Sequence, residues 1–152
     1  RHLRAQGVPD HDWVLVHDAA RCLLTPAQIS QLITACADDA VGGLLALPLP
    51  DTLKQQDEAA RVQATIPRSD KWLAQTPQMF RLGLLLQALE DSLQHTPDAI
   101  TDESSAIELA GLQPQLVQGS AWNFKVTYPD DFALAEAVLQ ARAAASHGTI
   151  QP

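Results

Sequence analysis

The hydrophobic pattern of the first third of the chain predicts a strand–helix–strand unit. Residues 12–17 form a short apolar run with β-branched members, which is typical of a buried strand. A Thr-Pro-x-Gln sequence at residues 25–28 predicts a capped helix start, and apolar residues then recur at helical spacing to Cys36. The continuous apolar run at residues 41–47 favours a central parallel strand covered on both faces. Together these segments predict a right-handed βαβ unit.

A polar stretch then interrupts the pattern between residues 51 and 68. It carries several charges and shows only weak alternation at residues 62–66. A polar excursion of this length inside an α/β domain usually serves an interface or a site. We therefore predict a projecting hairpin, called the arm, over about residues 50–70.

The second half predicts further helices and strands, so that residues 1–152 are expected to form one α/β domain with a mostly parallel sheet. The tail from residue 146 to 152 is expected to fray. The remaining predicted elements are a turn at 76–78, a helix at 82–93, a helix from Thr101 that stops near Gly111, short strands at 115–117 and 123–126, and a last helix from Pro129.

Composition narrows the function classes. Hydrophobic residues make up 46% of the 152 residues and charged ones 18%, which argues for a folded core. The net charge of -8 argues against a nucleic-acid partner. No apolar run reaches the ~18 residues typical of a membrane span. Cys22 and Cys36 show no disulfide or zinc spacing, which favours reduced thiols and a cytoplasmic location.

The start of the chain indicates a longer protein. There is no initiator Met, and residues 1–6 resemble the end of a helix. We therefore expect that sequence upstream of Arg1 is missing.

Candidate chemistry lies where strands are predicted to end, which is where open α/β sheets bind ligands. The polar clusters are residues 17–21, 51–54 and 125–127, with 101–103 at a helix start. Four of the ten Lys and Arg residues lie at or near these positions: Arg21, Lys54, Arg68 and Lys125. Such a set suits a phosphorylated substrate, with or without a divalent metal.

Each candidate also fits a structural role. Asp18, Thr101 and Asp102 could cap turns or helices. The cations could be surface ion-pair partners, solvated arm residues or, for Lys125, an edge-strand Lys. The five His residues form no metal-ligand pair, and there is no G-x-G-x-x-G, P-loop or nucleophile elbow. Pattern alone therefore stops at an α/β domain with an anion site.

Five motifs taken together resemble those of the methylerythritol phosphate cytidylyltransferases. They occur in the family's order between Val14 and about Leu139. They are V-x-V-H-D-A-A-R at 14–21, D-T-x-K at 51–54, R-x-x-x-W-x-x-x-T-P-Q-x-F at 68–80, T-D-[DE]-[AS]-[SA]-A at 101–106, and G-x-x-x-N-x-K-[VI]-T-x-P-x-D at 119–131.

The resemblance implies a Rossmann-like nucleotidyltransferase sheet, incomplete at its N-terminus. It also implies a reaction, the transfer of a cytidylyl group from CTP to 2-C-methyl-D-erythritol 4-phosphate with release of pyrophosphate. That reaction belongs to non-mevalonate isoprenoid biosynthesis and uses Mg²⁺. Catalysis of this kind depends on positioning and charge neutralisation.

Site roles follow by resemblance. Lys125 is expected to neutralise charge near the reacting phosphates. Asp18 is expected at the acceptor and metal end, although no metal ligand is directly assignable. Arg21 and Thr101 are expected to bind the acceptor.

Thr52 and Arg68 lie on the arm, which crosses to a partner in the family. They would therefore complete the neighbour's site in a homodimer, with Arg68 counted among the catalytic residues.

Two departures from the family stand out. Cys22 replaces the usual Pro after H-D-A-A-R. The glycine-rich loop that holds the CTP phosphates is absent, so those binding residues are unknown and this chain alone is expected to be inactive. Two alternatives stay open. One is a cytidylyltransferase for another polyol phosphate, such as ribitol 5-phosphate, and the other is a non-catalytic dimerisation module, for example within a fused bifunctional enzyme.

Overall fold

The protein alternates helices and strands, as the sequence pattern predicts. The computed structural model describes residues 1–147, and the predicted fraying of residues 146–152 falls mostly outside that range. The elements are α1 His2–Ala5, β1 Trp13–Val16, α2 Pro26–Cys36, β2 Gly42–Pro48, β3 Leu53–Gln56, β4 Val62–Ile66, β5 Trp72–Arg81, α3 Leu82–His95, α4 Glu103–Leu109, β6 Gln115–Gln118 and α5 Pro129–His147.

The main sheet has four strands in the order β1-β5-β2-β6. Strands β2 and β6 are parallel, and β5 is antiparallel to both β1 and β2. Strands β1, β2 and β6 thus share one direction, as a βαβ arrangement requires. The α/β class is confirmed, but the sheet is mixed, because the reversed strand β5 makes two of the three pairings antiparallel.

Strand β5 corrects the prediction of a turn at residues 76–78. Thr76 and Gln78 are buried within this ten-residue strand. A Pro flanked by polar residues usually marks a turn. Here the Thr76 side chain hydrogen-bonds to Asp18 and the Gln78 side chain to Asp102, so both polar groups have partners although they are buried in a strand.

The strand predicted at residues 123–126 is also wrong. This segment is irregular, and among residues 1–147 one backbone bond ties it to a distant segment, from the Val126 N–H to the Ala20 carbonyl at 2.9 Å. Asn123 anchors the segment through a buried side chain instead of a ladder.

The core has two halves, one on each face of the sheet. Met79 packs with Leu32 and Cys36 of α2, whereas Phe80 packs with Leu85 of α3 and residues of α4. Successive strand residues point to opposite faces, so β5 contributes to both halves. The predicted capping box of α2 is present.

The arm is confirmed as a hairpin that projects from the sheet. In the part of the chain that the structure describes, strands β3 and β4 pair only with each other, in antiparallel register. Its base is closed by a 2.9 Å hydrogen bond from the Leu49 N–H to the Lys71 carbonyl. All four residues of β3 are exposed. The arm therefore has no core of its own.

The last helix packs lightly on the rest of the described structure. Of its apolar residues, Ala135 is buried, while Phe132 is 69% exposed. Arg142 donates a hydrogen bond to the Leu23 carbonyl at 2.8 Å. Among residues 1–147, no helix is both long and apolar enough to cross a membrane.

Candidate active site

A polar cavity of about 390 Å³ opens beside the end of β1 and the middle of β5. Four residues to which the family resemblance assigned roles come together here, although they are widely separated along the chain: Asp18, Arg21, Thr101 and Lys125. The lining residues are Asp18, Arg21, Ala74, Gln75, Thr76, Gln78, Thr101, Asp102, Glu103 and Lys125. This lining contains neither Thr52 nor Arg68, which are exposed at the two ends of the arm.

Lys125 and Asp18 form an ion pair at the mouth of this cavity. The Lys125 Nζ lies 3.2 Å from the Asp18 Oδ2, and the Lys125 side chain is 52% exposed. An exposed pair is worth little in free energy, because water screens both charges. An arriving anion can therefore compete for the ammonium group without a large penalty.

Arg21 contributes charge to the cavity wall from a largely buried position. Its side chain is only 12% exposed, and its Nε lies 3.6 Å from the Asp18 Oδ2. Its Nη1 donates to the Asn123 carbonyl at 2.8 Å, and its Nη2 donates to the Ala74 carbonyl at 3.3 Å. Burial lowers the pKa of Arg21, while the Asp18 carboxylate opposes that effect. Because both terminal nitrogens are engaged, Arg21 also braces the cavity.

Thr76 and His17 hold the turn that carries Asp18. The Thr76 Oγ1 accepts the Asp18 N–H at 2.9 Å and lies 3.0 Å from the His17 Nδ1. The His17 Nε2 lies 3.1 Å from the Arg21 carbonyl, which can only accept a hydrogen bond. The His17 Nε2 therefore donates, and in the neutral ring Nδ1 accepts from Thr76. This chain of bonds orients the Asp18 backbone.

Asp102 and Gln78 form the opposite wall. The Gln78 Nε2 donates to the Asp102 Oδ2 at 2.9 Å, and the Asp102 Oδ1 accepts the Ser105 N–H at 2.9 Å as the cap of α4. Burial disfavours the charged carboxylate, but hydrogen bonds from Gln78, Ser105 and Ser104 outweigh it and lower the pKa of Asp102. Asp102 is therefore a bonded, ionised cap.

Asn123 ties the segment before Lys125 to β5. It is fully buried, and its Nδ2 donates to the Thr76 carbonyl at 2.8 Å and to the Gln75 Oε1 at 3.3 Å. The Gln75 Nε2 in turn donates to the Ser120 carbonyl at 2.9 Å. These bonds fix the loop on which Lys125 sits.

The donor set suits a metal ion that arrives with a phosphorylated substrate. Within the described residues, no group of three or more His, Cys, Asp or Glu side chains could hold a metal ion. Mg²⁺ commonly takes one or two carboxylates together with substrate phosphates and water. Asp18 can supply one such carboxylate, whereas the Asp102 carboxylate already accepts bonds from Gln78, Ser104 and Ser105.

Three residues that support the site were present in the sequence motifs but were assigned no role. Thr76, Gln78 and Asn123 are 7%, 1% and 0% exposed, so all three are buried polar groups. Their fixed positions in the motifs at 68–80 and 119–131 were one signal, and the polar residues directly before the apolar pair Met79-Phe80 were another. Their partners lie far away in the chain, and no local pattern reveals them.

Residues 3–141 match the family described as IspD, 2-C-methyl-D-erythritol 4-phosphate cytidylyltransferase. The chain is 67% identical over 140 residues to the bifunctional enzyme IspD/IspF of Albidiferax ferrireducens, covering 92% of this chain and 32% of that protein. It is 57% identical over 140 residues to the 2-C-methyl-D-erythritol 4-phosphate cytidylyltransferase of Chromobacterium violaceum, covering 92% of this chain and 61% of the relative. The chain thus spans about three-fifths of such single-function relatives.

Solved structures show the same likeness. A crystal structure of a 4-diphosphocytidyl-2C-methyl-D-erythritol synthase matches with a TM-score of 0.80 and 42% identity, over 90% of this chain and 61% of that one. The cytidylyltransferase of Francisella tularensis matches with a TM-score of 0.78 and 38% identity, over 84% and 59%. The described sheet therefore corresponds to part of a nucleotidyltransferase fold.

Proposed function

Because the chain belongs to the 2-C-methyl-D-erythritol 4-phosphate cytidylyltransferase family, we propose that its full-length protein transfers the cytidylyl group of CTP to 2-C-methyl-D-erythritol 4-phosphate. The products are 4-diphosphocytidyl-2-C-methyl-D-erythritol and pyrophosphate, in non-mevalonate isoprenoid biosynthesis. The observation that carries the proposal is the exposed Lys125–Asp18 pair, backed by Arg21, in a polar cavity.

The reaction depends more on neutralising negative charge than on transferring a proton. An oxygen of the acceptor phosphate attacks the α-phosphorus of CTP, and the bond from that phosphorus to the bridging oxygen breaks, releasing pyrophosphate. A phosphate monoester is largely dianionic at pH 7, so it needs little help from a base. The Lys125 ammonium would offset the negative charge that gathers on the reacting phosphates.

Asp18 has two tasks in this proposal. It would orient Lys125 through their ion pair, and it would offer a carboxylate oxygen to a substrate-borne Mg²⁺. That ion would neutralise the phosphates of CTP. Thr101, on the opposite wall, would contact the acceptor.

The arm would complete the site of a second copy in a homodimer. A two-stranded hairpin is marginal in water, and this one exposes Val62 at 66%. Packing against a second copy would cover it. The transferred residues would be Thr52 and Arg68, of which Arg68 adds a cation near the partner's phosphates.

We also place the protein in the cytoplasm. Cys22 is exposed and Cys36 buried, and both are free thiols, as a reducing compartment favours. The net charge of -8 makes a nucleic-acid partner unfavourable.

Pyrophosphate release tests the function directly. The full-length protein is supplied with CTP, Mg²⁺ and 2-C-methyl-D-erythritol 4-phosphate, beside ribitol 5-phosphate at the same concentration. We expect turnover with the first acceptor. Preference for ribitol 5-phosphate would reassign the acceptor, and a dimeric protein inactive with both would indicate a non-catalytic module.

The 152-residue chain serves as a second sample in that assay, and we expect no robust turnover from it. The described cavity is lined by two cations, Arg21 and Lys125, against three carboxylates. Two cations do not offset a triphosphate together with an acceptor phosphate. Efficient turnover by this chain would show that no upstream residues are needed.

A further inference from the structure

We infer that Gln78 is a positioning residue that sets the affinity for the acceptor by fixing the wall that carries Thr101. The inference rests on the proposed function, because it takes the phosphorylated polyol as the ligand of that wall. Gln78 itself does not react; it acts through Asp102 and the start of α4.

Gln78 occupies the interior of the sheet. It lies opposite Val16 on one side and Leu44 on the other, and it is 1% exposed. Its Oε1 accepts the Ser104 N–H at 2.7 Å while its Nε2 donates to the Asp102 Oδ2 at 2.9 Å. One acceptor and one donor are thus used at once, which a primary amide provides and a carboxylate does not.

Thr101 is linked to this anchor by short bonds. The Ser105 Oγ accepts the N–H groups of Thr101 and Asp102 at 3.0 and 3.1 Å. Ser105 is itself held by Asp102, which accepts its N–H at 2.9 Å and receives its hydroxyl at the backbone carbonyl at 2.7 Å. The orientation of Thr101 therefore depends on Asp102, and Asp102 depends on Gln78.

Helix α4 cannot supply that orientation alone. It has seven residues, and isolated helices of this length are unstable in water. Its start is anchored to the sheet through Gln78, which bonds the N-cap residue Asp102 and, in the first turn, Ser104. A loose tether would let the whole wall shift.

The other wall is held separately. The Asp18 turn depends on Thr76, and the Lys125 loop depends on Asn123. Within the described residues, neither set of bonds includes Gln78. Loss of the Gln78 tether should therefore weaken the Thr101 contact with the acceptor while leaving Asp18 and Lys125 in place, so we expect CTP binding to change little.

The charge at position 78 gives a sharp test in the full-length protein. Gln78→Glu removes the donor and places a second carboxylate against Asp102. We expect the KM for 2-C-methyl-D-erythritol 4-phosphate to rise about tenfold or more, since hydrogen bonds to charged groups are the strong ones, and the KM for CTP to stay within about twofold. Gln94→Glu, an exposed change on α3, adds the same charge elsewhere and should alter neither constant.

A charge swap provides the rescue. In the double variant Gln78→Glu with Asp102→Asn, the new amide donates to the new carboxylate, so the bond is restored with reversed polarity. Asn is as good a helix cap as Asp. We expect the acceptor KM to return to within about threefold of the wild type, a margin that allows for loss of the Asp102 charge.

Three results would overturn the inference: an unchanged acceptor KM in Gln78→Glu, equal rises in both KM values, or no rescue by the swap. Amide hydrogen exchange of Thr101 and Ser105 is measured on the same variants. Exchange should accelerate in Gln78→Glu and slow again in the swap. If the wild type shows no turnover, the proposed function fails, and the exchange data alone decide whether Gln78 holds this wall.

Discussion

Glutamine behaves in opposite ways in the arm and at the cavity. Gln55 and Gln56 of β3 are exposed, whereas Gln75 and Gln78 of β5 are 5% and 1% exposed. A buried amide must find partners for both its donors and its acceptor, and so it fixes the geometry of whatever it bonds to. An exposed amide is satisfied by water and fixes nothing. The same residue type is thus a structural tie at the cavity and a free contact group on the arm.

The lysine residues of the arm and of the cavity differ in a similar way. On the arm, the Lys54 Nζ lies 2.8 Å from the Thr65 Oγ1 across the hairpin, in water. At the cavity, Lys125 faces Asp18, whose backbone is bonded to Thr76. The cavity presents its charge from a fixed wall, while the arm carries its charge on a hairpin that pairs with no other strand of residues 1–147.

The largest expected effect concerns Lys125. In the full-length protein, Lys125→Ala should lower kcat about 10²–10³-fold, as expected when a group that stabilises developing charge is removed. Thermal stability should change little, because the side chain is half-exposed. The matched control is Lys71→Ala, which removes a Lys that pairs with the exposed Asp70. It should leave kcat unchanged. Wild-type kcat in Lys125→Ala would remove this residue from the catalytic site.

Mixing two inactive variants can test whether the arm of one chain completes the site of the other chain. Arg68→Ala and Lys125→Ala should each be nearly inactive. If the arm crosses, a mixed dimer carries one site with both residues intact, so an equilibrated equal mixture should recover about a quarter of wild-type activity, given random pairing in a two-fold dimer. The readout is pyrophosphate release before and after subunit exchange.

Failure to recover activity, when native mass spectrometry shows that mixed dimers have formed, would mean that Arg68 acts within its own chain. Arg61→Ala mixed with Lys125→Ala is the control for dilution. Arg61 lies at the far end of the hairpin, beside Asp57. The Arg61→Ala protein should therefore stay active, and subunit exchange should not change the activity of this control mixture.

A smaller effect is expected for the cap of α4. Asp102→Ala should lower the free energy of unfolding by about 1 kcal/mol at pH 7, the usual value for a lost cap. The pKa of Asp102 is lowered in the folded state, so its contribution is present above its unfolded pKa and is lost as pH falls through the folded value. Urea unfolding from pH 7 down to about 2 should therefore show a steeper loss in the wild type than in Asp102→Asn. Equal slopes would contradict the ionised cap.

Local pattern was enough for most of the fold. The apolar run of β2, the Thr25 capping box and the polar arm each carry their signal in adjacent residues, and each was found. Strand β5 was not found, because Pro77 and its polar neighbours resemble a turn. Only the contacts from Thr76 and Gln78 to distant segments explain why those residues are buried.

The candidate site shows the same limit. Asp18, Arg21, Thr101 and Lys125 were selected at strand and helix ends, and the cavity brings all four together. Sequence could not show that Arg21 has both terminal nitrogens bound to backbone carbonyls. That arrangement depends on Ala74 and Asn123, which are more than fifty residues away.

The hydrogen bond between Leu49 and Lys71 at the base of the arm has an evolutionary consequence. It closes residues 50–70 into a loop whose two ends meet at the sheet, next to the Pro48–Trp72 pair of β2 and β5. Loop closure depends only weakly on length, at about 0.6 kcal/mol per doubling. Insertions and deletions near the far end of the hairpin, away from Thr52 and Arg68, can therefore accumulate without disturbing the cavity of the same chain. In the proposed homodimer, the far end of the arm would then be free to vary while the cavity of each chain stays unchanged.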